Sequence, residues 1–128
     1  MIQVEKKYLQ VENLEVYKNS FDLSNRVWDF VVNWNHFAQN TVGSQFVRSV
    51  DSVSANIAEG FGRFGKKDKI KFYRISRASA LESKDWLNKS LKRKLINNEI
   101  HLEILNEIEK LPKLLNSLIK ITNEKLKQ

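Results

Sequence analysis

Few side chains in this sequence are of the kinds that carry catalysis. His36 and His101 stand far apart, and neither has an Asp or Glu at a metal-ligand offset, so both read as surface or capping residues. There is no Cys, which excludes disulfides, thiolate zinc sites and cysteine nucleophiles. Gly60-Phe61-Gly62-Arg63-Phe64-Gly65 lacks the full glycine fingerprint of a nucleotide loop and does not follow a strand. Serines are present, but no nearby histidine is placed to activate one. No catalytic residue is assigned, no metal and no cofactor are expected, and the chain does not read as an enzyme.

The informative polar residues are Asn56, Glu59 and Arg63, spaced three and then four apart, which puts them on one helix face beside an apolar seam. Ser79 and Glu82 fall on the apolar face of the next helix. Polar groups turned toward a core must pair, because a buried charge that loses its partner costs about 3–5 kcal/mol. The expectation is a buried or half-buried structural network: Arg63 meets Glu59 or Glu82, and Asn56 meets backbone or Ser79. Such a network fixes helix register.

Charge is concentrated in one segment. Residues 63–94 hold 12 basic and 3 acidic residues, a local charge of +9, whereas the rest of the chain sums to −2 and the whole to +7. On a helical wheel Lys66, Lys67, Arg74, Arg77, Lys84 and Lys92 fall opposite Phe72 and Ile75. A basic stripe on a solvent face is an electrostatic footprint for RNA or DNA. Lys66, Lys67, Lys69, Lys71, Arg74, Arg77 and Lys84 are the candidate phosphate contacts, giving affinity without sequence information. For single strands, which want exposed aromatics, Tyr73 is the candidate on that side. The competing readings are a solvated face, or one neutralised by acids of a neighbouring subunit.

These residues need a scaffold. In 128 residues, 41% hydrophobic, there is apolar matter for one domain, and four Gly and one Pro are too few for a β-sandwich or barrel. Residues 1–12 read as an arm, and 13–128 as a bundle of helices. Leu14, Tyr17, Phe21, Val27, Trp28, Val31 and Trp34 mark a first helix from an Asn13 cap to about Phe37, followed by a turn at 38–41. Phe46, Val50, Val53, Ile57 and Phe64 mark a second. The third runs from about Asp68 to Lys92, with Phe72, Ile75, Ser79, Glu82 and Trp86 on its inner face. The fourth, from about Glu99 to Lys125, carries Ile104, Ile108, Leu111, Leu115 and Leu118, with Pro112 inside it. Short connections make an antiparallel up-down-up-down four-helix bundle the simplest all-α solution.

Tyr73, Leu87 and Leu91 form a second apolar stripe off the inward direction of the third helix, which is expected to be an oligomer interface. No run of about 18 apolar residues and no signal pattern occurs, so a soluble, cytoplasmic chain without a membrane partner is expected.

Taken together, Asn13-Leu14-Glu15-Val16-Tyr17, Phe21 and Leu23, then Ser44-Gln45, Arg48, Ser52 and the whole Asn56-to-Arg63 string, then Phe72, Ile75, Ser79, Leu81 and Glu82 resemble the four-helix-bundle proteins encoded by intervening sequences in bacterial 23S ribosomal RNA genes. The resemblance spans about residues 13–120. Ser54 and Ala78 depart from it, standing where proline and glycine are usual. It implies an antiparallel bundle without catalysis. Its further likeness to retroelement accessory variability proteins implies a homo-oligomeric, pentameric ring. The expectation is therefore a non-enzymatic homo-oligomer that presents the basic third helix to RNA or DNA; the alternative is a scaffold that recruits a protein partner, with charge as a steering device.

Overall fold

The computed structural model describes residues 9–126, and these contain helices and no strand. A 3-10 turn at Val11–Asn13 leads into α1 (Glu15–Val31). The second rod, α2, comprises His36–Ala38, a π turn at Gln39–Gly43 and Ser44–Gly62 without a break in helical backbone. Then come α3 (Lys66–Lys92) and α4 (Asn98–Lys125). The arm expected over 1–12 lies mostly outside the described residues.

Cross-helix partners fix the directions. Along α2 and α3, Val53 meets Ser76, Ser52 meets Ser79 and Ser49 meets Ser83. Along α3 and α4, Lys66 meets Asn123, Arg77 meets Asn116 and Lys84 meets Glu109. In both series one number rises as the other falls, so the neighbours are antiparallel. Consecutive helices pack on one another and α1 closes on α4, giving a four-helix bundle.

Helix ends differ from the sequence expectation in ways that local chemistry explains. The turn between α1 and α2 lies at 32–35, not 38–41, because Asn35 caps α2: its side chain accepts from Ala38 N at 2.9 Å. Gln39 then reaches back and donates to the carbonyls of Val31 (3.2 Å) and Val32 (2.9 Å) at the C-terminal end of α1, where Val31 O also accepts from Trp34 N at 3.0 Å. Asn13 closes the 3-10 turn, accepting from Gln10 N, rather than capping α1. Asn97 caps α4 by accepting from Ile100 N at 2.8 Å, as expected of one of the two asparagines there.

The core is built from Val27, Phe46, Val50, Val53, Ile57, Ile104, Ile108, Leu111 and Leu115, all at most 1% exposed. The inner face of α3 is the exception to the sequence reading. Its buried residues are Ile70, Tyr73, Ser76, Ala80, Ser83, Leu87 and Ser90; five of them, Tyr73, Ser76, Ala80, Ser83 and Leu87, each lie one position after a residue expected there. One position is a rotation of ~100° on a helix. Helix α3 therefore turns small hydroxyls inward. Ser76 Oγ donates to Val53 O at 2.7 Å, Ser83 Oγ meets Ser49 Oγ at 3.1 Å, and a Cβ on Gly60 would lie 2.8 Å from the Tyr73 ring and 3.0 Å from Lys69 O.

Gly60→Ala would gain ~1 kcal/mol of helix propensity but must move the Tyr73 ring and the α3 backbone, a cost of about 1–3 kcal/mol, so it lowers stability. Gly62→Ala, with nothing within 4 Å of its Cβ, does not. Urea unfolding at fixed protein concentration reads the difference. At the end of α3, Lys94 N donates to Leu91 O (3.0 Å) and Leu95 N to Ser90 O (2.9 Å), a Schellman arrangement that holds Lys94 at φ 62°. Glycine carries no Cβ penalty there, so Lys94→Gly raises stability by about 1 kcal/mol in the same assay.

Candidate functional site

The polar string of α2 lies along the rim of the α2–α3 seam. Ser52 Oγ and Ser79 Oγ are 2.9 Å apart, and Asn56 Nδ2 donates to both Ser52 O and Ser52 Oγ at 2.8 Å. One turn on, Arg63 pairs with Glu59 at 2.7 Å and its guanidinium sits 4.8 Å from the Phe72 ring centre. Arg63 thus meets Glu59 and Asn56 meets backbone, as expected. Glu82 does not join them: it accepts from Trp86 Nε1 at 3.0 Å. Asn56, Ser52 and Ser79 are half-buried, within the expectation, whereas Glu59, Arg63 and Glu82 are exposed. The Arg63 and Glu59 side chains keep 43% and 50% of their exposure, which is the regime in which an ion pair is worth 0–1 kcal/mol. The cause is the rotation of α3, which carries Ser79 and Glu82 from the core to the rim.

The same rotation sorts the candidate cations. Lys66 donates to Asn123 O near the end of α4 at 3.2 Å. Lys69 donates to Phe61 O at 2.7 Å and Gly60 O at 3.4 Å, capping the C-terminus of α2, and its burial lowers its pKa. Arg77 donates to the Asn116 side chain, and Lys84 pairs with Glu109 at 3.0 Å. These four are turned toward the bundle. Lys67, Lys71 and Arg74 are exposed and make no hydrogen bond or ion pair to another described residue. Lys71 Nζ lies 5.5 Å from the Phe72 ring centre. Steps of four and three put these cations on one outward face of α3, with ~10 Å of helix rise from first to last. Asp68, exposed in the first turn, is the nearest acid in sequence.

The stripe read as an oligomer interface is core. Tyr73 is 2% exposed and Leu87 0%, while Leu91 packs against the core from its margin. Burial pushes the Tyr73 phenol up to about 12. Tyr73 is therefore not available to stack on a base either.

Apolar surface is exposed elsewhere. On α1 and at its C-cap, Phe21 (48%), Trp28 (55%) and Val32 (46%) form one row, flanked by the exposed acids Glu15, Asp22 and Asp29 at steps of seven. Between α2 and α3, Phe64 is 98% exposed. Neither was expected. Phe21, Trp28 and Phe64 follow the helical rhythm of the apolar seams, and hydropathy alone does not separate a wide stripe from two faces. The signal for Phe64 was its position past Gly62, where the helix phase ends. Among the described residues no three His, Asp or Glu come together to hold a metal ion, and no helix is long and apolar enough to cross a membrane.

Comparison with known proteins agrees with this architecture. No curated protein matches the chain. A crystal structure of a protein of unknown function from the S23 ribosomal protein family of Bacteroides thetaiotaomicron superposes with a TM-score of 0.74 at 27% identity, covering 82% of this chain and 98% of the other. The family model described as 23S rRNA-intervening sequence protein matches residues 12–117, from the 3-10 turn before α1 into the last third of α4. That match takes in all four helices, the rim residues and the basic face of α3, and the chain belongs to the 23S rRNA-intervening sequence protein family.

Proposed function

We propose that this chain is a non-enzymatic, homo-oligomeric bundle protein that holds RNA or DNA on the outer face of α3. One observation supports this most: in a segment of local charge +9, Lys67, Lys71 and Arg74 remain exposed and unneutralised by any described acid. Free cations on a convex rod attract a polyanion and release its counterions. Lys66, Lys69, Arg77 and Lys84 add to the surrounding field, while their head groups serve carbonyls, an amide and a carboxylate of the bundle.

Self-association rests on a different surface from the one read in the sequence. The outer face of α1 offers Phe21, Trp28 and Val32 with an acidic border, and an exposed aromatic row of this kind is suited to burial against a second copy. Five copies is the number the family resemblance implies. The same row would suit a protein partner, which is the scaffold alternative.

Two measurements test the proposal. Binding of an oligonucleotide should weaken with salt, with a log–log slope of about −2 to −3 if three phosphates are met. Reversing Lys67, Lys71 and Arg74 to Glu should abolish it, whereas Lys84→Met should change it only a few-fold. Retained binding in the triple reversal overturns the role of this face and favours the scaffold. Light scattering should return a multiple of the 15.0 kDa chain mass, reduced by Trp28→Glu. A wild-type mass of one chain overturns self-association.

A further inference from the structure

Phe64 sits at the tip of the bundle in the three-residue connection between α2 and α3, with 98% of its surface in water. The ring adds nothing to the core. Its setting is open: a Cβ built on Gly62 or on Gly65 would meet nothing within 4 Å, in contrast to the crowded Gly60. Loop geometry does not require an aromatic here. Arg63 is extended and the bend at 64–65 has no positive φ.

The charges around the ring are already sorted. Arg63 is held by Glu59 and lies over Phe72, Lys66 reaches Asn123 O, and Lys69 reaches Phe61 O. The cations closest in sequence with no hydrogen bond or ion pair to a described residue are Lys67, Lys71 and Arg74, of which Lys71 lies near the Phe72 ring; they begin three residues after Phe64 and run away from it along α3. An exposed aromatic face followed by a row of cations is the pattern that takes a single strand: a base stacks on the ring while the backbone follows the charges. A duplex keeps its bases stacked on each other and offers the ring nothing to stack on except an end.

We infer that Phe64 is a base-stacking platform, and that with Lys67, Lys71 and Arg74 it makes the α2–α3 end of the bundle a site for single-stranded nucleic acid. The inference rests on the proposed nucleic-acid role of α3 and narrows it to single strands. A lipid surface fits less well. Interfacial binding scales with the apolar area inserted, and Phe64 is flanked by Gly62, Arg63, Gly65 and Lys66, so one ring would have to supply it all.

The test uses fluorescence anisotropy with an oligouridine of about 20 nucleotides, the matching oligothymidine, and a mixed-sequence duplex of the same length. Phe64→Ala should weaken both single strands by roughly 5- to 150-fold and leave the duplex nearly unchanged. Its salt slope should match that of the wild type, because stacking releases no counterions. Phe64→Trp should restore binding. A Phe64→Ala variant that binds single strands like the wild type sinks the stacking site; if the triple charge reversal still abolishes binding, the basic-face reading survives alone. Absence of wild-type binding to any probe at ~50 mM salt removes both. Capture of the protein by phosphatidylserine vesicles through Phe64, without oligonucleotide binding, would assign the ring to membrane instead. A change in solution mass on Phe64→Ala, with oligonucleotide affinity intact, would assign it to a second copy.

Discussion

The structure depends on how closely α2 and α3 approach. Gly60 leaves room for the Tyr73 ring, and Ser49, Ser52, Ser76, Ser79 and Ser83 place hydroxyls across the seam. Each buried hydroxyl has a partner, so none carries the penalty of a lone polar group in a core. Two backbones that come this near gain dispersion over their whole length, and larger side chains on α3 would hold them apart. The rotation of α3 follows from this. A face of Ser and Ala can only be the inner face if the partner helix is close, and once it is, Phe72, Ile75 and Trp86 must sit at the rim.

That rotation also explains what could be seen in the residues beforehand. Strong periodicity located four helices, and the seams of α2 and α4 were legible because Phe46, Val50, Val53 and Ile57, or Ile104, Ile108, Leu111 and Leu115, are large apolar residues at steps of three and four. On α3 the apolar moment points to the wrong side. Tyr73 and Leu87 stand out as apolar, but the serines between them are polar, so the sequence makes the stripe an interface rather than a core face. Hydropathy measures what a side chain prefers in isolation, and a paired serine in a tight seam is buried because of its neighbour. The turn between the first two helices was misplaced for a related reason. Asn35 and Gln39 satisfy backbone groups on both sides of it, and such reciprocal caps show in the sequence only as two polar residues among many.

The polar string illustrates how pairing and burial part company: Asn56 is half-buried as expected, but Glu59 and Arg63 pair in the open. Arg63–Glu59 and Asn56–Ser52 were legible from spacing, since residues three and four apart meet on a helix whether or not they are buried. Burial is a tertiary property. At the rim, the Arg63–Glu59 pair contributes little to stability, and its effect is to hold the Arg63 guanidinium over Phe72.

Charge on α3 is partitioned by the same geometry. Residues on the flanks of the seam swing their cationic ends onto what the bundle leaves unsatisfied: Lys69 onto the last carbonyls of α2, Lys66 onto the end of α4, Lys84 onto Glu109. A helix C-terminus is a partial negative charge, so these lysines are doing for the fold what a polyanion would otherwise ask of them. The exposed cations escape that use: Lys67, Lys71 and Arg74 on the outer face of α3, and Lys92, Arg93 and Lys94 at its C-terminal end, whose side chains make no hydrogen bond or ion pair to a described residue. Lys67, Lys71 and Arg74 repel one another at the cost of a few tenths of a kcal/mol for each neighbouring pair. The fold does not offset that repulsion with acids from α4 or α2, although it does so for Lys84 and Arg63 on either side. A row left repulsive between two compensated flanks is where an external anion gains most.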